Sequence, residues 1–217
     1  CDEPGGPTAI GFGGARGPGK SHAVLAQLAL DDCQRAPGLK CLLLRRVGRA
    51  ARESFEDLRN RVLHIPHTYR RGDGVVEFRN KSKIVLGHFN HERDVDRYLG
   101  LEYGAIAIEE ATTLSSTKYR AITTCNRTSR GDWRPRIYSS TNPGGIGHAW
   151  YKEMFITPAR NGSQTDTRFV FGTVDDNPFL NSGYIENLDS LTGWLKRAWR
   201  YGDWDIFAGQ YFSNFDR

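Results

Sequence analysis

The chain is poor in sulfur, with one methionine and four cysteines in 217 residues. Cys1, Cys33, Cys41 and Cys125 form no CxxC pair, so neither a zinc ribbon nor a disulfide framework organises the chain, and the thiols read as buried or incidental. The histidines supply no HExxH and no Cys/His grouping, which removes the usual zinc spacings; Pro66 stands between His64 and His67, and His88 and His91 flank a loop. No apolar run approaches the roughly 18 residues a helical membrane span requires, and the first residues do not read as a secretory signal. Internal repeats and low-complexity tracts are missing too, which excludes solenoids and long linkers.

What remains is an ordinary globular composition, 38% hydrophobic and 25% charged. Thirty Lys and Arg against twenty-five Asp and Glu leave a net charge of +5, which permits contact with nucleic acid without demanding it. The length suits one substantial domain with a small appendage. Cys1–Thr8 is polar and rich in Gly and Pro, and the chain reads as a fragment cut from something longer.

Periodicity predicts the elements. Thr8–Gly13 is an apolar strand running into glycines, His22–Arg35 a helix stopped by Pro37-Gly38, Lys40–Arg46 ("KCLLLRR") a second strand, and Ala50–Leu63 an amphipathic helix. Val75–Phe78 and Lys83–Leu86 flank "RNKS" as a hairpin. Tyr103–Ile108 and Arg136–Ser139 are further strands, with a helix over Thr117–Cys125 between them. After Gly147 the texture changes: Trp150, Trp194, Trp199 and Trp204 fall there, with a strand near Phe169–Val174, the turn "DDNP" and then helices. The pattern is α/β, a mostly parallel sheet covered by helices with an inserted β-hairpin. Residues 1–146 form the core, and 147–217 a smaller C-terminal subdomain.

Gly14-Ala15-Arg16-Gly17-Pro18-Gly19-Lys20-Ser21 fits GxxxxGK[ST], with a strand before it and a helix beginning after Gly19, and these residues with His22 are the nucleotide-binding candidates. The glycines let backbone N–H groups converge on phosphate oxygens, Lys20 reaches the β- and γ-phosphates, and Ser21 ligates Mg²⁺. Arg16 can reach the γ-phosphate from within the same subunit, a role worth about 10³–10⁵ in rate elsewhere. The plainer alternative is a solvated loop arginine.

"YGAIAIEEATTL" places Glu109 and Glu110 at the end of an apolar strand. Phosphoryl transfer to water needs one carboxylate toward Mg²⁺, taken by Glu109, and another to orient the water, taken by Glu110. Ser140, Thr141 and Asn142 end the next strand, where ligands sit in open α/β sheets, and are positioned to sense the γ-phosphate. A plain Asn/Pro turn is equally compatible there.

Taken in order, "GGARGPGKS", "LLLRR", "VVEFRNKSKIVLG", "DVDRYLGLEYGAIAIEEAT", "SSTNPGG", "VDDNPFL" and "RYGDWDIFAGQYFSNFDR" resemble the large terminase subunits of tailed bacteriophages, over essentially the whole chain. The resemblance implies a RecA-like P-loop NTPase with a small C-terminal lid that leads to a nuclease domain. It implies an ATP- and Mg²⁺-dependent motor that moves double-stranded DNA into a procapsid. The partners implied are the portal protein, the small terminase subunit and further copies of the chain in a pentameric ring. Such a motor works in the host cytoplasm, docked transiently on the portal, and is not part of the mature virion. Lys20 and Ser21 match the Walker A pair, Arg16 the loop arginine, Glu109 the Walker B acid, Glu110 the catalytic glutamate and Ser140-Thr141-Asn142 the coupling motif. Glutamate at 109, where the family has aspartate, is a departure. The chain stops at Arg217 before any acidic cluster for two metals, so no nuclease activity is expected of it. A helicase-like DNA translocase, or a nucleotide-binding assembly module that hydrolyses little, stays open as an alternative.

The family completes one subunit's site with an arginine from the next, near the start of the inserted hairpin. Arg70 and Arg71 are the first candidates, Arg93 and Arg97 the second. For DNA, Arg45, Arg46, Arg49 and Arg52 form one basic stretch and Arg79, Lys81 and Lys83 another, suited to phosphates because no aromatics interleave with them.

Overall fold

The protein is described here by a computed structural model covering residues 1–46 and 48–206, with the side chains of 48–52 left aside. The described residues form one eight-stranded sheet in the order β3-β4-β5-β2-β6-β7-β1-β8. Strands β1 (Ala9–Gly14), β2 (Lys40–Arg46), β5 (Lys83–Phe89), β6 (Ala105–Glu109), β7 (Arg136–Ser140) and β8 (Thr167–Gly172) run parallel. β3 (His67–Arg70) and β4 (Val75–Phe78) add an antiparallel flap at one edge.

The central strands are apolar throughout because both faces are covered. On one face Cys41, Leu43, Ala105 and Ala107 pack under α1 (Lys20–Ala26), α2 (Cys33–Arg35) and α3 (Gly48–Val62), through Leu25, Cys33, Phe55 and Leu58. On the other, Leu42, Leu44, Ile106 and Ile108 meet α4 (Ser116–Thr123) and the helical run α5 (His148–Tyr151), 152–156 and α6 (Thr157–Asn161). Tyr119, Ile122, Tyr151, Phe155 and Trp204 supply that second layer. α7 (Ser182–Asp189) and α8 (Gly193–Trp199) follow β8. None of the described helices is long and apolar enough to cross a membrane.

Three features differ from the periodicity. α1 continues into a π-helical stretch, Gln27–Asp32, whose wider turn accompanies the burial of the Asp32 carboxyl among Tyr138, Gln27 and Arg136. β3 was not legible because its four residues, His67–Arg70, directly follow Pro66 and are too few and too polar to show an apolar alternation. β8 pairs in parallel with β1, and α5 packs in the core through Tyr151, so the sheet draws on chain beyond Gly147.

Candidate functional site

β1 delivers the phosphate loop at the carboxyl end of the sheet. Gly14 has φ +126°, and a Cβ there would overlap the Gly172 carbonyl, so only glycine lets β8 lie this close. The Ala15 N–H donates to that same carbonyl (2.9 Å), and the Arg16 N–H donates to the Trp199 carbonyl (2.8 Å). Asn177 donates to the Gly17 carbonyl (2.6 Å). A Cβ on Gly17 would meet Leu180 at 2.9 Å, so the segment after β8 is seated directly on the loop. The Arg16 guanidinium lies over the Trp199 ring at 3.4 Å from its centroid.

Lys20 donates to the Ala15 carbonyl (2.6 Å) and to Asn142 Oδ1 (2.8 Å). Burial, reinforced by the charge of Arg16, pulls its ammonium down to about 8. Ser21 and His22 follow on the first turn of α1 and line the same cleft.

The two carboxylates stand at the end of β6. Glu109 is 4% exposed, in register with Ser140 of β7. Its Oε1 has no partner among the described residues, while Oε2 lies 3.5 Å from Arg45 Nη1. Glu110 adopts φ +54° and ψ 45°, a left-handed conformation that turns its half-exposed carboxylate away from the strand, 3.9 Å from Arg45 Nη2. Arg45 also donates to Ser54 Oγ of α3 (3.0 Å). Arg45, the first residue of one basic stretch, lies beside both acids because β2 and β6 are neighbours and end together. Thr141 is tied to Thr112 (2.7 Å) and its N–H to the Phe12 carbonyl (3.1 Å), which leaves Asn142 facing Lys20.

These groups share an open cleft of about 800 Å³. Gly17, Pro18 and Gly19 line it together with Lys20, Glu109, Glu110 and the Ser140–Asn142 strand end. Among the described residues no group of three or more His, Cys, Asp or Glu is placed to hold an ion alone. The unsatisfied Glu109 oxygen and the Ser21 hydroxyl fit a divalent cation whose remaining ligands come from phosphate and water.

Sequence reasoning missed part of this cleft. Glu53, Asp57 and Arg61 of α3 line it at a spacing of four, which the helical pattern could have revealed. Asn177, Leu180, Tyr184 and Trp199 arrive through tertiary packing alone. His148, which does not line the cleft, is likewise placed by packing: its Nδ1 accepts from the Gly144 N–H (2.9 Å) while Nε2 lies 3.2 Å from the Trp204 carbonyl. Burial holds its imidazole below the ordinary histidine value, in the neutral form this bridge requires.

The four candidate trans arginines stand away from this cleft. Arg70 pairs with Glu77 (3.4 Å) and Asp73 (3.7 Å), Arg71 with Glu56 (2.8 Å) and Arg97 with Asp94 (3.2 Å), while Arg93 is exposed. Arg46, Arg79 and Lys81 are exposed and Lys83 is partly buried. The side chains of Arg49 and Arg52 lie outside the described residues. The two basic stretches fall at opposite ends of β2, about 20 Å apart at the rise of a strand.

A parallel α/β sheet with a phosphate loop at the end of β1, and acids on β6 one strand removed, is the RecA-like P-loop fold. The family model for the phage terminase large subunit matches residues 8–202, and the chain belongs to that family. Among solved structures it is similar to the large terminase of a thermophilic bacteriophage, with 16% identity, TM-score 0.74, and 91% of this chain and 48% of that one covered. The same thermophilic phage protein in complex with ATP-gamma-S gives 14% identity and TM-score 0.72, with 91% and 48% covered. The HK97 bacteriophage large terminase gives 14% identity and TM-score 0.50, with 77% and 36% covered. The chain therefore spans about half the length of the thermophilic phage protein (48%). A comparison with curated proteins finds none that matches.

Proposed function

We propose that this chain hydrolyses ATP and is the motor part of a large terminase, driving double-stranded DNA into a procapsid. One observation carries the reading. Lys20 of the phosphate loop is hydrogen-bonded to Asn142 (2.8 Å), at the end of the strand between that loop and the acidic pair. A γ-phosphate arriving at Lys20 must break or share that bond, so occupancy is felt at once by β7 and the loop beyond it.

Glu110 orients a water for attack on the γ-phosphorus and takes its proton as ADP leaves. Lys20 stabilises charge on the β- and γ-oxygens, joined by Arg16 once it leaves the Trp199 face. Bound with the nucleotide, Mg²⁺ would be held by Ser21 and Glu109 and would neutralise phosphate charge. The complex of the thermophilic phage terminase with ATP-gamma-S supports the choice of nucleotide. Residues after β8, seated on the phosphate loop, act as the lid subdomain. Family membership supports the portal, the small subunit, a pentameric ring of copies and a transient place at the portal in the host cytoplasm. In that ring Arg70 or Arg71, with Arg93 or Arg97 as the second choice, reaches the neighbouring subunit's cleft.

The test is steady-state ATP hydrolysis over a range of protein concentrations, with Glu110→Ala as control. Hydrolysis absent from Glu110→Ala, with specific activity rising with concentration, is expected. Equal silence of wild type and variant would leave a nucleotide-binding module and overturn the motor reading. Mixing Arg71→Ala with Glu110→Ala, each inactive alone, is expected to restore turnover if the arginine acts in trans.

A further inference from the structure

We propose that the opposite pole of the sheet, at the amino ends of the strands, carries a second binding site: a basic cleft that holds backbone phosphates of duplex DNA. The proposal rests on the motor reading for its partner but not for its geometry. A cleft of about 410 Å³ opens there, lined by Gly38, Lys40, Glu102, Arg127 and Arg130 among others. The hairpin turn after β4 closes against its edge. The Gly38 N–H donates to the Asn80 carbonyl (3.0 Å), the Lys83 N–H to the Leu39 carbonyl (2.8 Å), and the Arg130 guanidinium to the Pro37 carbonyl. Lys40, Arg79, Lys81, Lys83, Arg127 and Arg130, scattered in sequence, are thereby gathered on one pole.

The charges there are not balanced. Glu102 is taken by Arg127 (3.1 Å) and Asp132 by Arg130 (2.7 Å), while Glu77, opposite Lys83 on β4, is engaged by Arg70 (3.4 Å). Lys40, Arg79, Lys81 and Lys83 have no ion-pair partner among the described residues. Lys40 and Lys83 are in register on neighbouring parallel strands, so their Cα atoms are about 5 Å apart and both side chains rise from the same face. Two lysines rising side by side from one face, neither with a carboxylate of its own among the described residues, favour an anion that both can reach. Lys40 is further held over the Tyr103 ring, 4.6 Å from its centroid.

The cleft offers no exposed aromatic face on which a base could stack, since Tyr103 is 1% exposed. This favours the phosphates of a paired duplex, bound without regard to sequence, over single strands. The site lies a strand's length, about 20 Å, from the nucleotide cleft, so both can be occupied together.

The test is fluorescence anisotropy of a labelled mixed-sequence duplex with the 217-residue chain, as a function of salt. Lys40→Gln/Lys81→Gln is expected to lower the slope of log K against log salt by about 1.8 and to weaken binding at least about tenfold near 0.1 M salt. Lys81→Gln alone is expected to give half that slope change. DNA-independent hydrolysis should not move in either variant, nor the melting temperature in Lys81→Gln. An unchanged slope in the double variant overturns the site, as does loss of binding through Arg46→Gln alone, or tighter binding of single strands or RNA than of duplex. Hydrolysis without any duplex binding by wild type refutes this site and spares the ATPase reading. Salt-dependent binding lost in the variant, with no hydrolysis in wild type, does the reverse.

Discussion

Raising the pH from 7 to 9 is expected to weaken nucleotide binding about tenfold, through Lys20 alone. Its ammonium, ordinarily at 10.5, sits at about 8 because the side chain is buried in the loop and Arg16 is nearby. Only the charged form attracts phosphate, so the contribution is complete below pH 8 and is lost as pH rises through it. About ten lysines in eleven are charged at pH 7 and about one in eleven at pH 9, a tenfold change worth about 1.4 kcal/mol. A bound triphosphate restores the charge, so binding near pH 8 takes up about half a proton. Calorimetric titrations in two buffers of different ionisation heat measure both the affinity and that proton. In Lys20→Arg the guanidinium stays charged throughout, and the pH dependence is expected to vanish even where affinity is poorer. Affinity that is flat from pH 7 to 9 with no proton uptake would refute the argument that burial and Arg16 discharge this lysine.

Other expectations follow from single contacts. Arg45→Ala leaves the buried Glu109 without its cation and should cost about 2–3 kcal/mol in urea unfolding, with duplex affinity unchanged; the opposite pattern would return Arg45 to a DNA-binding stretch. Glu110→Gly removes a non-glycine residue from φ +54° and should raise stability by about 1 kcal/mol while abolishing hydrolysis, a combination a surface loop residue would not produce. Burial raises the Asp32 carboxyl from 3.8 to about 6, against the pull of Arg136. Its stabilising contribution is therefore present below pH 4 and lost as pH rises to 6. The stability of Asp32→Asn relative to wild type should climb by about 2–3 kcal/mol between pH 4 and 7, and a constant difference would sink the assignment.

The phosphate loop was legible because its function is local. Strand, glycines, lysine and helix follow one another in the chain, and spacing alone brings Gly14, Lys20 and Ser21 into one loop and the helix turn it opens. β2 and β6 were legible for a related reason, since a strand buried on both faces must be apolar throughout, and an acid at its end stands out as Glu109 and Glu110 do. The family likeness rested on the order of such local signatures. Arg45 shows where that reasoning stops. In sequence it begins a basic run with Arg46, but the pairing of β2 with β6 puts it between two carboxylates, while Arg46 stays exposed. β8 is similar: nothing in "TRFVFG" says that it lies against the phosphate-loop strand, yet its Gly172 carbonyl is what requires glycine at 14. The seating of Trp199 on Arg16, the His148 bridge and the gathering of Lys40 with the hairpin turn were likewise decided by tertiary structure. Spacing along the chain determines what a segment can do by itself. Which charges face each other depends on strand order and helix packing, set by burial of apolar surface across the whole molecule, and that sum is not written at any one position.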